Sequence, residues 1–274
     1  MTQPYAIEHY ENFPVASILM PRRLRYPISV IYTFARQADD FADEGNAADE
    51  VRLAQLDNFR QELDRIKAGL TPQTQLFADL SGIIARHMLP LQPFYDLLDA
   101  FSQDVTKKRY ANFGEVMSYC RRSANPVGQL LLHLYGEATP RNLAYSDAIC
   151  SSLQLINFWQ DIAIDFQKDR IYLPQDEMAK YKITENQIAQ GNTGGLWQDL
   201  MLFQIKRSQK LLQAGAPLGK ILRGRVGLEM RMIIMGGDTI LRKLHKSRGD
   251  IFQNRPVLKP ADWLYMAYRA ILAK

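Results

Sequence analysis

Residues 157–170 read Asn157-Phe-Trp-Gln-Asp-Ile-Ala-Ile-Asp-Phe-Gln-Lys-Asp-Arg170. On a helix, Asn157, Asp161, Asp165 and Asp169 step by four along one ridge, with Phe158, Trp159 and Ile164 set among them. Like charges at that spacing repel by a few tenths of a kcal/mol per pair. A helix facing a bundle interior should not carry clustered carboxylates unless a cation compensates them. Outward from this stretch the whole chain keeps the helical period. Apolar residues recur at three- and four-residue spacing, and no segment sustains the alternation of a half-buried strand, which predicts an all-α protein.

A second stretch repeats the pattern. In Ile31-Tyr-Thr-Phe-Ala-Arg-Gln-Ala-Asp-Asp-Phe-Ala-Asp43, Asp39 and Asp43 lie one turn apart with Arg36 a turn earlier, embedded beside Phe34 and Phe41. Hard oxygen ligands favour magnesium, which takes one or two carboxylates per ion plus waters and substrate phosphate oxygens. Two such stretches predict a multi-magnesium clamp for a diphosphate. The plainer reading is two solvated acidic faces paired with nearby Arg and Lys, and the recurrence with Asn157 in line argues against it. A di-iron carboxylate bundle needs Glu-x-x-His pairs that the sequence lacks.

Helix punctuation agrees with the period. Thr71-Pro72 and Thr139-Pro140 each offer a hydroxyl cap followed by proline, and Thr184-x-x-Gln187 reads as a capping box. Pro93 and Pro260 open helices, and Gly69, Gly136 and Gly249 sit where helices stop. The spacing predicts helices near 24–44, 47–68, 72–88, 93–104, 112–136, 140–168, 194–214, 217–248 and 260–273, with 170–193 as one long irregular connection. That connection could be an interdomain linker. The hydrophobic helices on either side need each other's apolar faces, so a single domain over 1–274 is expected, a bundle whose ligand site lies between facing helices.

Composition excludes several classes. With 274 residues, 47% hydrophobic and 23% charged, the chain is neither disordered nor collagen-like. Cys120 and Cys150 are too few for a disulfide scaffold, and four scattered histidines without an H-x-x-x-H pair argue against a zinc hydrolase. No apolar run approaches the roughly 20 residues that cross a bilayer. The expected location is cytoplasmic. The net charge of +5 is uneven, with 15 Lys+Arg against 4 Asp+Glu from Lys206 to Lys274. This basic third reads either as a solvated helix face or as a peripheral contact with anionic lipid at the inner membrane face. Nucleic acid is set aside because no groove-reading or base-stacking motif accompanies the charge.

Taken in order, His9-x-x-x-Phe13, Tyr32-x-x-x-Arg36-x-x-Asp39-Asp40-x-x-Asp43, Tyr119-Cys120 followed by Val127-Gly128, Gln154-x-x-Asn157-x-x-x-Asp161-x-x-x-Asp165 and Arg170-Ile-Tyr-Leu-Pro174 resemble the squalene/phytoene synthase family of head-to-head prenyl synthases. The likeness runs over nearly the whole chain. It implies an isoprenoid-synthase helical bundle whose aspartate motifs face each other across a central cavity, with Mg²⁺ on Asp39, Asp43, Asp161 and Asp165 holding a prenyl diphosphate. It further implies substrate or metal contacts for Tyr32, Arg36, Gln154, Asn157, His9 and Phe13, and catalytic roles for Tyr119 and the four aspartates. The chemistry is consistent. Loss of diphosphate builds negative charge on oxygen, and the carbocation left behind needs a water-poor pocket with aromatic faces. Tyr119, Phe13, Phe34 and Phe158 are candidates for that pocket, although core packing is the plainer role for each phenyl ring.

Finer features look like the bacterial hydroxysqualene synthase branch. These are the run Tyr10-Glu-Asn-Phe-Pro-Val-Ala-Ser17 and the motif Tyr119-Cys-Arg-Arg-Ser-Ala-Asn-Pro-Val-Gly128. The branch implies presqualene diphosphate as substrate, capture of the rearranged cation by water, and no NADPH. The rival readings are condensation of two prenyl diphosphates such as farnesyl diphosphate to presqualene diphosphate, dehydrosqualene or phytoene, and a non-catalytic all-α interaction protein. Three positions depart from the family. Gln160 stands where relatives usually have Arg, Glu11 where some have Lys, and Gly236-Gly237 where a Tyr is common. Fewer cations suit a site handling one diphosphate at a time, and the missing Tyr is expected to leave room for the attacking water.

Overall fold

Helix follows helix through residues 21–272, the part of the chain that this computed structural model describes. In chain order they are α1 (Arg22–Asp43), α2 (Asp49–Lys67), α3 (Gln75–His87), α4 (Gln92–Thr106), α5 (Phe113–Ser123), α6 (Asn125–Tyr135), α7 (Pro140–Gln167), α8 (Gln175–Lys180), α9 (Glu185–Ala189), α10 (Trp197–Gly215), α11 (Leu218–Ile221), α12 (Gly224–Lys246) and α13 (Pro260–Leu272). The described residues contain no strand beyond an isolated bridge between Arg109 and Ile171. The all-α expectation holds.

The differences from the expected map have local causes. The helix expected over 112–136 breaks at Ala124, because Pro126 in the first turn of α6 cannot donate to a continuing ladder. The helix expected over 217–248 breaks between Leu222 and Gly224, where Gly224 takes φ +61°. Thr74, rather than Thr71, caps α3, its hydroxyl accepting from Phe77 N. Thr139 and Thr184 cap as read. Gln187, however, turns its amide to the carbonyls of Asn192 and Gly194, leaving the capping box half-made.

The helices form two compact units. The first holds α1–α4 and α6, the second α8–α13 with most of α5 and α7, and residues 170–193 lie wholly within the second. In the first unit, Leu24, Ile28, Ile31, Phe34, Ala38 and Ala42 make one buried stripe along α1. Phe34 sits at its heart, with ring centroids 5.6 Å from Phe59, 5.8 Å from Phe77 and 5.3 Å from Phe94. Such pairs add about 0.5–1.5 kcal/mol each beyond area burial. Phe34 is therefore a core residue and drops out as a cation-pocket ring.

In the second unit, α7 is tied to α10 at one serine. Trp159 Nε1 donates to Ser208 Oγ at 2.8 Å, and Ser152 Oγ donates to Ser208 O at 2.7 Å. The two helices approach so closely that a Cβ at Gly215 would lie 2.5 Å from Tyr145 O. Arg231 on α12 donates to Ala270 O in α13 and to Gly219 O in α11, pinning both short neighbours to the long helix.

Candidate active site

The first aspartate motif occupies the C-terminal end of α1, where the backbone carbonyls already carry partial negative charge and the last turn has no basic residue. Arg36 reaches forward to Asp40 at 2.8 Å, Glu44 at 2.9 Å and Asp39 at 3.3 Å. One guanidinium cannot neutralise this group. Burial, then the charge of Asp43, pushes the Asp39 carboxyl up to about 7; Arg36 pulls it back, and Asp104 and Asp40 add to the rise. Asp104 comes from α4 and is buried. The helix end is held together by Arg52 of α2, which donates to the carbonyls of Phe41, Ala42, Gly45 and Ala47 at 2.6–3.2 Å. Tyr32 lies one turn before Arg36 on the same helix, half-buried.

The second motif lies at the C-terminal end of α7, again without a basic residue in the last turn. Asn157 Nδ2 donates to Asp161 Oδ2 at 3.0 Å, and Arg255 Nε donates to Asp161 Oδ1 at 2.6 Å. Gln160, one residue away, is buried and donates to Pro256 O. The glutamine anchors the loop that brings Arg255 in, so a cation does meet the motif, from a distant part of the chain. Gln154 and Asp165 lie on the same helix, half-buried.

Tyr119 on α5 joins a buried ring cluster beside this motif. Its centroid lies 5.8 Å from Tyr110, 5.7 Å from Tyr172 and 5.9 Å from Phe158, and Phe158 stacks on Tyr172 at 3.7 Å with a 6° interplanar angle. All four rings are at least nine-tenths buried. Tyr172 is carried by Arg170-Ile-Tyr-Leu-Pro174, whose start is fixed by Arg109: its guanidinium bonds Asp169 and Glu185 at 2.9 and 2.7 Å. Burial pushes the neighbouring Cys120 thiol up to about 12, so this cysteine packs and does not act as a nucleophile.

Gly237 does not open a water pocket. A Cβ there would meet Leu153 Cδ2 at 2.9 Å, Leu212 Cδ2 at 3.2 Å and Ile156 Cδ1 at 3.3 Å, so the glycine exists to let helices close. Among the described residues, no three or more His, Cys, Asp or Glu side chains converge on one point. The candidate donors are two carboxylates one turn apart at the C-terminal end of each of two helices. Such pairs fit magnesium, which keeps waters and substrate oxygens in its shell, better than a metal needing an all-protein cage. His9 and Phe13 lie outside the described residues.

A family profile described as Squalene/phytoene synthase matches residues 7–262. The chain belongs to that family. It is 36% identical to the hydroxysqualene synthase of Rhodopseudomonas palustris over 265 residues, 95% of this chain and 88% of that one. It is also 36% identical to the hydroxysqualene synthase of Zymomonas mobilis, over 95% of this chain and 86% of that one. The crystal structure of squalene synthase HpnC from Alicyclobacillus acidocaldarius superposes with a TM-score of 0.81 at 33% identity, covering 88% of this chain and 90% of that one. A phytoene synthase of Arthrospira platensis is 29% identical over 90% of this chain and 84% of that one.

Several features of this squalene/phytoene synthase family member had no sequence signal. Arg52, Arg255, Asp104 and Tyr110 are isolated residues in unremarkable contexts, and only folding brings them to the motifs. Tyr172 had a signal, because it stands inside a quoted motif, yet its ring gained meaning only from the stack with Phe158.

Proposed function

We propose that this chain converts presqualene diphosphate and water to hydroxysqualene and diphosphate, with magnesium held by Asp39, Asp43, Asp161 and Asp165. The observation that carries the reading is the state of the two aspartate motifs: each is intact at a helix C-terminus with no basic residue in the last turn. The names of the relatives at 36% identity point to this member of the family rather than another.

Bound magnesium would stabilise the charge that develops on the departing diphosphate oxygens. The protein's own groups do the rest. Arg36 and Arg255 supply fixed positive charge beside the carboxylates, and Asn157 holds the Asp161 carboxylate in one orientation. The buried rings of Tyr119, Phe158 and Tyr172 keep water from the cation and offer π faces, each worth about 0.5–2 kcal/mol to a nearby positive charge. In the balanced step the carbon–oxygen bond to diphosphate breaks, the cyclopropylcarbinyl cation rearranges, and one water oxygen adds and loses its proton.

The test is incubation of purified protein with presqualene diphosphate and Mg²⁺, with and without NADPH, and identification of the product by mass spectrometry. Hydroxysqualene in both arms is expected, and Asp161→Asn should abolish it. The rival reading, condensation of two prenyl diphosphates, predicts abundant product from farnesyl diphosphate alone. Our reading predicts little.

A further inference from the structure

Helix α13 turns an apolar stripe outward. Leu264, Tyr268, Ile271 and Leu272 are 57–75% exposed and recur at i, i+4, i+7 and i+8, so they form one continuous face. The opposite face, Met266 and Ala270, is buried, and α13 packs on α12. Singly exposed apolar residues are ordinary on protein surfaces, whereas a full helical stripe of them marks a contact surface.

The charges around this stripe identify its partner. The one carboxylate of α13, Asp262, is bound by Lys243 of α12 and by the backbone N–H of Lys259. The outward face keeps no negative charge, and it carries Arg269, whose guanidinium bonds the Tyr265 hydroxyl at 3.0 Å. Across the basic C-terminal third the remaining acids are also engaged. Glu229 is buried, Asp238 pairs with Arg242, and Asp250 accepts from the Gln253 N–H. Lys259, just before α13, is exposed, as are Lys246 and Arg248 at the end of α12. A second copy on this face would set two cationic surfaces together. An anionic bilayer meets both demands at once, taking the leucine, isoleucine and tyrosine side chains into the headgroup boundary and the basic residues against lipid phosphates.

We propose that the Leu264–Leu272 face of α13 docks the protein, in plane, on an anionic membrane surface. No described helix is long and apolar enough to cross a membrane, so the contact is a surface one. The proposal does not depend on which reaction the site performs.

The experiment is co-sedimentation of the full chain with vesicles of phosphatidylglycerol and phosphatidylcholine, or of phosphatidylcholine alone, at about 0.1 M salt and in high salt. Binding is expected with phosphatidylglycerol and should weaken with salt. The triple variant Leu264→Ser, Tyr268→Ser, Ile271→Ser should lower the partition coefficient by about tenfold or more, with an unchanged melting curve, because each exposed site loses a large apolar side chain. The proposal is overturned if wild type ignores phosphatidylglycerol vesicles or if the triple variant binds them as wild type does. It is equally overturned if wild type is a dimer in solution that the triple variant splits, which would make a second copy the partner.

Discussion

Arg255 donates to Asp161 across ninety-four residues of sequence at 2.6 Å, and the adjacent pair repeats the contact, Gln160 bonding Pro256 O. The Asp161 side chain is only 13% exposed, so its charge needs a partner in the metal-free protein, and this arginine is one. Replacing it with Met should lower metal-free stability by about 1–3 kcal/mol. The stabilisation on adding Mg²⁺ should then exceed that of wild type, because the ion takes over the lost neutralisation. Scanning calorimetry with and without Mg²⁺ measures both. An equal Mg²⁺ shift in the two proteins would mean that Asp161 does not meet the metal.

Arg52 bonds four carbonyls at the C-terminus of α1 and just beyond it, those of Phe41, Ala42, Gly45 and Ala47. Arg52→Ala should cost about 1–3 kcal/mol, the penalty of leaving such groups poorly satisfied. Amide exchange should quicken selectively over residues 40–45. Lysine should rescue only in part, since one ammonium cannot reproduce the guanidinium fork.

Glycine at 237 and at 227 serves close packing. A Cβ at Gly227 would sit 2.0 Å from Leu222 O, which only backbone movement can relieve. Gly227→Ala should therefore destabilise by about 3 kcal/mol or more, and Gly237→Ala by about 1–3 kcal/mol through overpacking. Gly237→Tyr should unfold the second unit rather than redirect product, a distinction that circular dichroism makes before any assay.

Tyr119 touches three rings, so its hydroxyl and its packing can be separated. Tyr119→Phe should keep the melting temperature within a few degrees while lowering turnover if the hydroxyl serves the reaction. Tyr119→Leu should lose stability as well, by about 1–3 kcal/mol, since the ring packs in a buried cluster. Equal turnover in Tyr119→Phe and wild type would confine the residue to packing.

Asp262 is held below the ordinary carboxylate range, chiefly by the hydrogen bond from Lys243 and then by that from Lys259 N. A depressed folded pKa contributes stability that is present above the unfolded value near 3.9 and is lost as pH falls through the lower folded value. Wild type should thus lose stability below about pH 4 more steeply than Asp262→Asn. Urea midpoints between neutral and acid pH check this, and parallel curves would remove the Lys243 contact from the account.

Much of this was legible from sequence. The three- and four-residue apolar period recurs along the chain without sustained alternation, so the all-α class could be read directly. The aspartate ridges were legible for the same reason, because helical neighbours are neighbours in sequence. What the period could not report was how far a helix runs before Pro126 or Gly224 interrupts it, since such breaks depend on local backbone competition. Nor could it report partners distant along the chain. That Arg255 meets Asp161, that Arg52 caps α1, that Tyr172 stacks on Phe158 and that Gly237 fills a seam were decided by tertiary packing alone. Charge and shape complementarity act across space, and a one-dimensional pattern carries no record of which distant side chains the fold will bring within reach.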